Sequence, residues 1–206
     1  MFYTDDIVFV HISLTGGSSV SKAFGQQNGH KVFNEQRLAA HATAHEIRAI
    51  MGEDEWAKRW SFAIVRNPWD KLVSIYHSWR RDFKLQKEFG ERWMEVFENT
   101  KDFKSFLYNY PNDPMADQSG TIRTPQKYWA NGVDQVFKYE DFDALSVKMR
   151  EIGYDGIIPT VQRFDAIRNN VYHRPDVPYQ EYYNDELINL VAEWFDEDIK
   201  EYGYTF

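Results

Sequence analysis

The sequence predicts an α/β fold with three layers, α/β/α, around a mostly parallel central sheet that carries a P-loop-like strand, turn and helix. Three observations lead there. Ile7-Val8-Phe9-Val10-His11-Ile12 is a nearly continuous apolar run rich in β-branched and aromatic residues, the pattern of a strand buried on both faces. Phe62-Ala63-Ile64-Val65 is a second such run, closed by Asn67-Pro68. Segments of helical periodicity follow each run, and strands alternating with helices build parallel sheets.

The first run ends in Ser13-Leu14-Thr15-Gly16-Gly17-Ser18-Ser19. Two adjacent glycines flanked by hydroxyl residues allow a tight turn, after which Val20 to Phe24 starts a helix with Ser18 or Ser19 as its N-cap. A strand-turn-helix of this kind aims backbone N–H groups and a helix dipole at one spot, which suits a phosphate or other oxyanion. Such turns also occur in α/β folds that bind nothing. No lysine follows Gly17, so the Walker A pattern is missing and an ATPase or GTPase is disfavoured. Residues His30 to Asn34 read as a short strand. Thr43, with Glu46 three residues on, is a capping box opening a helix that Gly52 stops. His41 falls in the loop before that helix and His45 on its first turn.

Pro68 lacks a ladder N–H and ends the second run, and a helix starts at about Trp69 with Trp69, Leu72, Val73 and Tyr76 at helical spacing. Arg66 thus stands at the carboxyl end of a strand, where open α/β sheets place ligands, and Ser74 lies about a turn and a half into the helix. Residues Glu88 to Phe97 and Asp102 to Tyr110 read as amphipathic helices, with Trp93, Met94, Val96 and Phe97 expected in the core. The polar stretch Pro111 to Thr121 reads as a long surface loop. Gln135 to Tyr139 is a further strand, followed by a helix to about Ile152. The last helix runs from about Asp185 to Tyr202 with an apolar stripe of Leu187, Leu190, Val191, Trp194, Phe195 and Ile199. Tyr179, Tyr182 and Tyr183, near Arg174, read first as packing for that helix and second as groups closing over a ligand.

With 206 residues and no Pro/Gly/Ser-rich linker, the chain reads as a single domain, 1–206. Its 17% aromatic content is far from a disordered profile, and a formal net charge of −8 opposes broad binding to nucleic acid or an anionic membrane. The lack of cysteine excludes disulfides, cysteine nucleophiles and thiolate metal sites. The histidines show no paired ligand spacing, so no metal is expected. Met1 to Asp6 lacks the basic region and apolar core of a signal peptide, and no stretch is long enough to span a bilayer, so a soluble cytoplasmic protein is the expectation.

Two stretches together resemble the nucleotide-binding signatures of the sulfotransferase family, enzymes that use 3′-phosphoadenosine 5′-phosphosulfate (PAPS). His11-Ile12-Ser13-Leu14-Thr15-Gly16-Gly17-Ser18-Ser19 is similar to the family's His-Ile-Pro-Lys-Thr-Gly-Gly-Thr-Ser, and Arg66-Asn67-Pro68-Trp69-Asp70-Lys71-Leu72-Val73-Ser74 to its Arg-Asn-Pro-Trp/Tyr-Asp-Arg-Leu-Val-Ser. Further echoes are His41-Ala42-Thr43-Ala44, Pro125-Gln126 with Tyr128-Trp129, Asp134 to Phe142, and Tyr182-Tyr183 with Asp185-Glu186. The resemblance implies that backbone N–H groups of Thr15, Gly16, Gly17, Ser18 and Ser19, with the two serine hydroxyls, face the 5′-phosphosulfate. It also implies that Arg66 and Ser74 face the 3′-phosphate, Arg66 through a planar fork of donors matched to phosphate. A strand-end salt bridge is the bland alternative for Arg66. PAPS and its product 3′,5′-adenosine bisphosphate (PAP) are the implied cofactor pair, and transfer needs no metal.

The pattern departs at one position. Where the family has the lysine that stabilises the bridging oxygen as sulfate leaves, this chain has Leu14, which neither carries charge nor donates a hydrogen bond. Three explanations stand: a natural loss of transfer, a substitute cation from elsewhere, or an introduced change. Lys22 should lie on the helix away from the loop, and nothing in the sequence places Lys71 or Lys127. His41 resembles a family histidine in position and is the candidate general base, with a capping or buried histidine as the alternative and His11, His45 and Glu46 as weaker candidates. The acceptor is then a hydroxyl or amine of a small molecule or glycan. The rival reading is a sulfotransferase-like module that binds nucleotide without transfer.

Overall fold

The computed structural model describes residues 2–17, 20, 23–24, 41–85, 91–112, 122–154, 174 and 176–206, with side chains omitted at 2 and 81–85. The chain divides into two compact units, Met1–Asn67 with Gln126–Asn169, and Pro68–Pro125 with Asn170–Phe206. The expected strand at 30–34 and the loop from 113 to 121 lie outside the described residues, as do Ser18, Ser19 and Lys22.

Unit 1 is built on a four-stranded sheet in the order β1 (Phe2–Tyr3), β2 (Ile7–Val10), β3 (Trp60–Val65), β4 (Gln135–Lys138). The last three strands are parallel and β1 joins the edge antiparallel. The α/β class with a mostly parallel sheet therefore stands. All four residues of β2 are fully buried, as an apolar run covered on both faces requires. One face buries Ile7, Phe9, Phe62 and Ile64 with Val20, Phe24, Phe137, Phe142 and Leu145, a single apolar cluster in which Phe9 and Phe62 lie 4.9 Å apart. In register, Val10 pairs with Ala63, so continuing both strands brings the start of the glycine turn level with Arg66.

Thr43 caps helix α1 (Ala44–Met51) as its sequence promises. Its hydroxyl accepts from the Glu46 N–H at 3.1 Å and the Glu46 carboxylate accepts from the Thr43 N–H at 2.8 Å, which holds the Glu46 carboxyl below the usual range. A short helix α2 (Glu53–Trp56) follows. Asp134 anchors the start of β4: its carboxylate accepts from both the N–H and the hydroxyl of Ser61, each at 2.7 Å.

Unit 2 opens with helix α3 (Pro68–Leu85), followed by α4 (Glu91–Asn99) and α5 (Phe103–Asn109), the last capped by Asp102. In α4, Val96 is buried and Trp93 and Phe97 are half-buried, whereas Met94 is 47% exposed, a correction to its expected place in the core. Unit 1 resumes with α6 (Lys127–Ala130), β4 and α7 (Phe142–Glu151). The long final helix of the sequence reading is two helices, α8 (Asp185–Trp194) and α9 (Asp196–Tyr202), because Phe195 leaves helical geometry at φ −117° while staying fully buried. Among the described residues no helix is long and apolar enough to cross a membrane.

Candidate functional site

In unit 1, the chain leaves β2 through His11 and Ile12 and turns at Leu14, whose φ of 59° lies in the left-handed region that a residue with a Cβ rarely adopts. Gly16 follows at φ 91°, and helical geometry opens at Gly17, ahead of the serines expected to cap it. The glycines answer to the protein's own rings. A Cβ on Gly17 would stand 2.0 Å from His11 Cδ2, and one on Gly16 would stand 2.9 Å from Phe142 Cζ and 3.0 Å from Tyr139 Cδ2. Thr15 is fully buried, and its hydroxyl donates to the Ile12 carbonyl at 2.9 Å, so it braces the turn from inside.

Arg66 reaches the same turn. Its Nη1 donates to the Leu14 carbonyl at 3.0 Å, and its guanidinium carbon lies 4.2 Å from the centre of the Tyr139 ring. The Arg66 peptide is held in turn by Gln126, which is fully buried. Gln126 Oε1 accepts from the Arg66 N–H at 2.9 Å and Nε2 donates to the Arg66 carbonyl at 2.7 Å. The next N–H, of Asn67, donates to the Glu140 carboxylate at 2.7 Å. Two motifs far apart in sequence thus meet at one carbonyl.

His41 stands beside this turn. Its Nδ1 lies 3.0 Å from the His11 carbonyl oxygen, and because a carbonyl only accepts, Nδ1 carries a proton and Nε2 holds the lone pair of the neutral ring. The two imidazoles meet edge to face at 4.7 Å, and the Trp129 indole N–H donates to the His41 carbonyl at 3.0 Å. The His41 side chain is exposed. His11 is different: burial above all, with the neighbouring His41 a lesser cause, lowers its pKa to about 3, so it stays neutral and serves as packing. His45 and Glu46 sit exposed on the first turn of α1, with Glu46 committed to the capping box.

Ser74 belongs to unit 2. Asp70, Ser74 and His77 recur at i, i+4 and i+7 on α3 and share one face. Arg174 Nη1 donates to Asp70 Oδ1 at 2.5 Å and reaches Ser74 Oγ at 3.3 Å. His77 Nε2 lies 2.8 Å from the Tyr182 hydroxyl; burial, then the Arg174 charge, lowers the His77 pKa to about 4. Tyr183 donates to the Trp69 carbonyl at 2.8 Å, and burial raises its hydroxyl well above the ordinary range. Tyr183 also packs on Phe103 and Phe206, so these tyrosines are aromatic packing within unit 2. Lys71 is 2% exposed with its ammonium 5.7 Å from the Phe195 ring, which removes it as a mobile substitute cation. Among the described residues no group of three or more His, Asp or Glu is arranged to hold a metal ion.

The structure therefore brings the Leu14 turn, Arg66 and His41 to one end of the sheet of unit 1 and puts Ser74 with Arg174 in unit 2. Sequence reasoning missed the roles of Gln126 and Tyr139 and the pairing of Arg174 with Ser74. Pro125-Gln126 reads only as an echo of a family pattern, and a contact over 60 residues leaves no local periodicity to read.

These features define an α/β protein with a P-loop-like strand-turn-helix at the carboxyl ends of parallel strands. The sequence matches no family model and no curated protein. Among solved structures, that of a mouse sulfotransferase, SULT7A1, complexed with PAP is similar at 13% identity and a TM-score of 0.49, covering 95% of this chain and 84% of that one.

Proposed function

We propose that this chain is a soluble cytoplasmic PAPS-dependent sulfotransferase, slowed by Leu14, that acts on a hydroxyl or amine of a small molecule or glycan. The observation that carries the reading is the bond from Arg66 to the Leu14 carbonyl, which joins the two signature stretches at one place. The residues present suit a phosphorylated nucleotide. The turn opens a helix, whose first N–H groups favour an oxyanion, and Arg66 and Ser74 keep the role at the 3′-phosphate that the resemblance gives them. Ser18 and Ser19 keep the role that the resemblance gives them. PAPS, when bound, supplies the sulfuryl group.

His41 is the proposed general base. Its Nδ1–H stays on the His11 carbonyl, so Nε2 takes the proton of the attacking hydroxyl. Leu14 offers no donor to the leaving oxygen, and loss of one preorganised donor costs about 10²–10³ in rate. That observation also favours a second reading, a module that binds nucleotide without transfer.

Release of PAP from PAPS, followed with a panel of phenolic, alcoholic and glycan acceptors, separates the two. Turnover that disappears in His41→Ala supports the enzyme. Turnover seen only after Leu14→Lys supports the module. A folded protein from which neither variant nor parent yields PAP, and which fails to bind PAP, has neither function.

A further inference from the structure

We infer that a recess in unit 2, between α4 and α5, is a binding site for a neutral saccharide unit. It measures about 430 Å³, within the range of small-ligand pockets. Arg92, Val96 and Asn99 line it from α4 at i, i+4 and i+7, and Tyr108, Asn109 and Asn112 line the other side, with Thr100 at the floor. The inference does not rest on the nucleotide reading.

The walls are fixed from behind, which distinguishes the recess from an ordinary polar surface. Asn112 accepts from Arg123 Nη2 at 3.0 Å through its Oδ1 and donates from Nδ2 to the Tyr108 carbonyl at 2.6 Å. Asn109 Nδ2 donates to the Asn99 carbonyl at 2.6 Å. Thr100 is 1% exposed, its hydroxyl donating to the Val96 carbonyl at 2.8 Å and accepting from the Trp79 indole N–H at 3.0 Å. The Tyr108 hydroxyl donates to the Glu186 carboxylate at 2.6 Å, which steadies a ring that is 37% exposed. Groups held in this way bind without a large ordering cost.

What the recess offers selects the ligand. The Asn99 side-chain amide and the Asn109 Oδ1 have no partner among the described residues. An amide both donates and accepts, as does each hydroxyl of a sugar, and a fixed tyrosine face suits the C–H face of a pyranose ring. Arg92 pairs with Glu95 at 2.8 Å, so a neighbouring carboxylate offsets part of its charge. No carboxylate lines the recess, which disfavours a metal ion.

Saturation-transfer difference NMR on the full chain, with the methyl glycosides of glucose, galactose, mannose and N-acetylglucosamine at millimolar concentration, tests this. At least one glycoside should receive saturation, falling several-fold in Asn99→Ala and Tyr108→Ala and by less in Tyr108→Phe, which keeps the ring but loses its tether to Glu186. Asn99 is exposed, so Asn99→Ala should keep its melting temperature even if Tyr108→Ala does not. No transfer from any glycoside, or transfer unchanged in Asn99→Ala and Tyr108→Ala, overturns the assignment. PAP titrations of the same variants should match the parent, so the nucleotide reading and this one fail separately.

Discussion

The glycine turn of unit 1 and the α3 face of unit 2 carry the two strongest sequence marks, and different forces hold them. The turn is braced by shape and by bonds to backbone carbonyls. His11 stands against Gly17, Tyr139 and Phe142 against Gly16, Thr15 bonds to a carbonyl, and Arg66 bonds to another. The α3 face is held by groups that carry or exchange charge: Arg174 on Asp70, and His77 on Tyr182. A site braced by shape should be brittle to substitution, and one held by ion pairs and hydrogen bonds should give way more gradually.

The largest effect should come from Gly17→Ala. With a Cβ 2.0 Å from the His11 ring, the ring or the helix start must move, at a cost of about 3 kcal/mol in chemical denaturation. Adding His11→Ala should recover much of that loss, and a double-mutant cycle without coupling would break the steric account. Gln126→Leu comes next. It strands the buried N–H and carbonyl of Arg66, which costs about 2 kcal/mol and loosens Arg66 from the turn, read by denaturant midpoint and by weaker PAP binding together.

The pH prediction concerns both regions. The folded pKa of His77 is about 4 against an ordinary 6.5, so between those values the unfolded chain binds more protons and stability rises with pH. His11, at about 3, adds a rise of the same sign. The urea midpoint should therefore climb from pH 4 to 6.5, and His77→Phe should flatten part of that climb. An unchanged slope would remove His77 from the account. The smallest effect is Leu14→Gly, which relieves the left-handed strain at φ 59° and should leave stability equal or higher by up to about 1 kcal/mol.

Local chemistry explains what the sequence revealed. A proline that ends β3, a threonine and glutamate three apart at α1, and an apolar run entering two glycines act within a few residues, and all of them are found in place. Arg66 at a strand end follows from the same reading. The two-residue edge strand β1 and the four-residue helices α2 and α6 are too short to show a period. The break at Phe195 is hidden because an apolar residue continues the stripe whether or not the helix does. Gln126 and Arg174 act across 60 and 104 residues, and only the fold defines such partners. The left-handed backbone at Leu14 is likewise invisible to propensity, since leucine rarely adopts it.

In the proposed function the turn and Arg66 act as one nucleotide-binding device. Calorimetric titration of the folded chain with PAP, beside Arg66→Ala, addresses it directly. The account predicts micromolar or tighter binding by the parent and its loss in the variant. No binding by the parent, or equal affinity in Arg66→Ala, would contradict it.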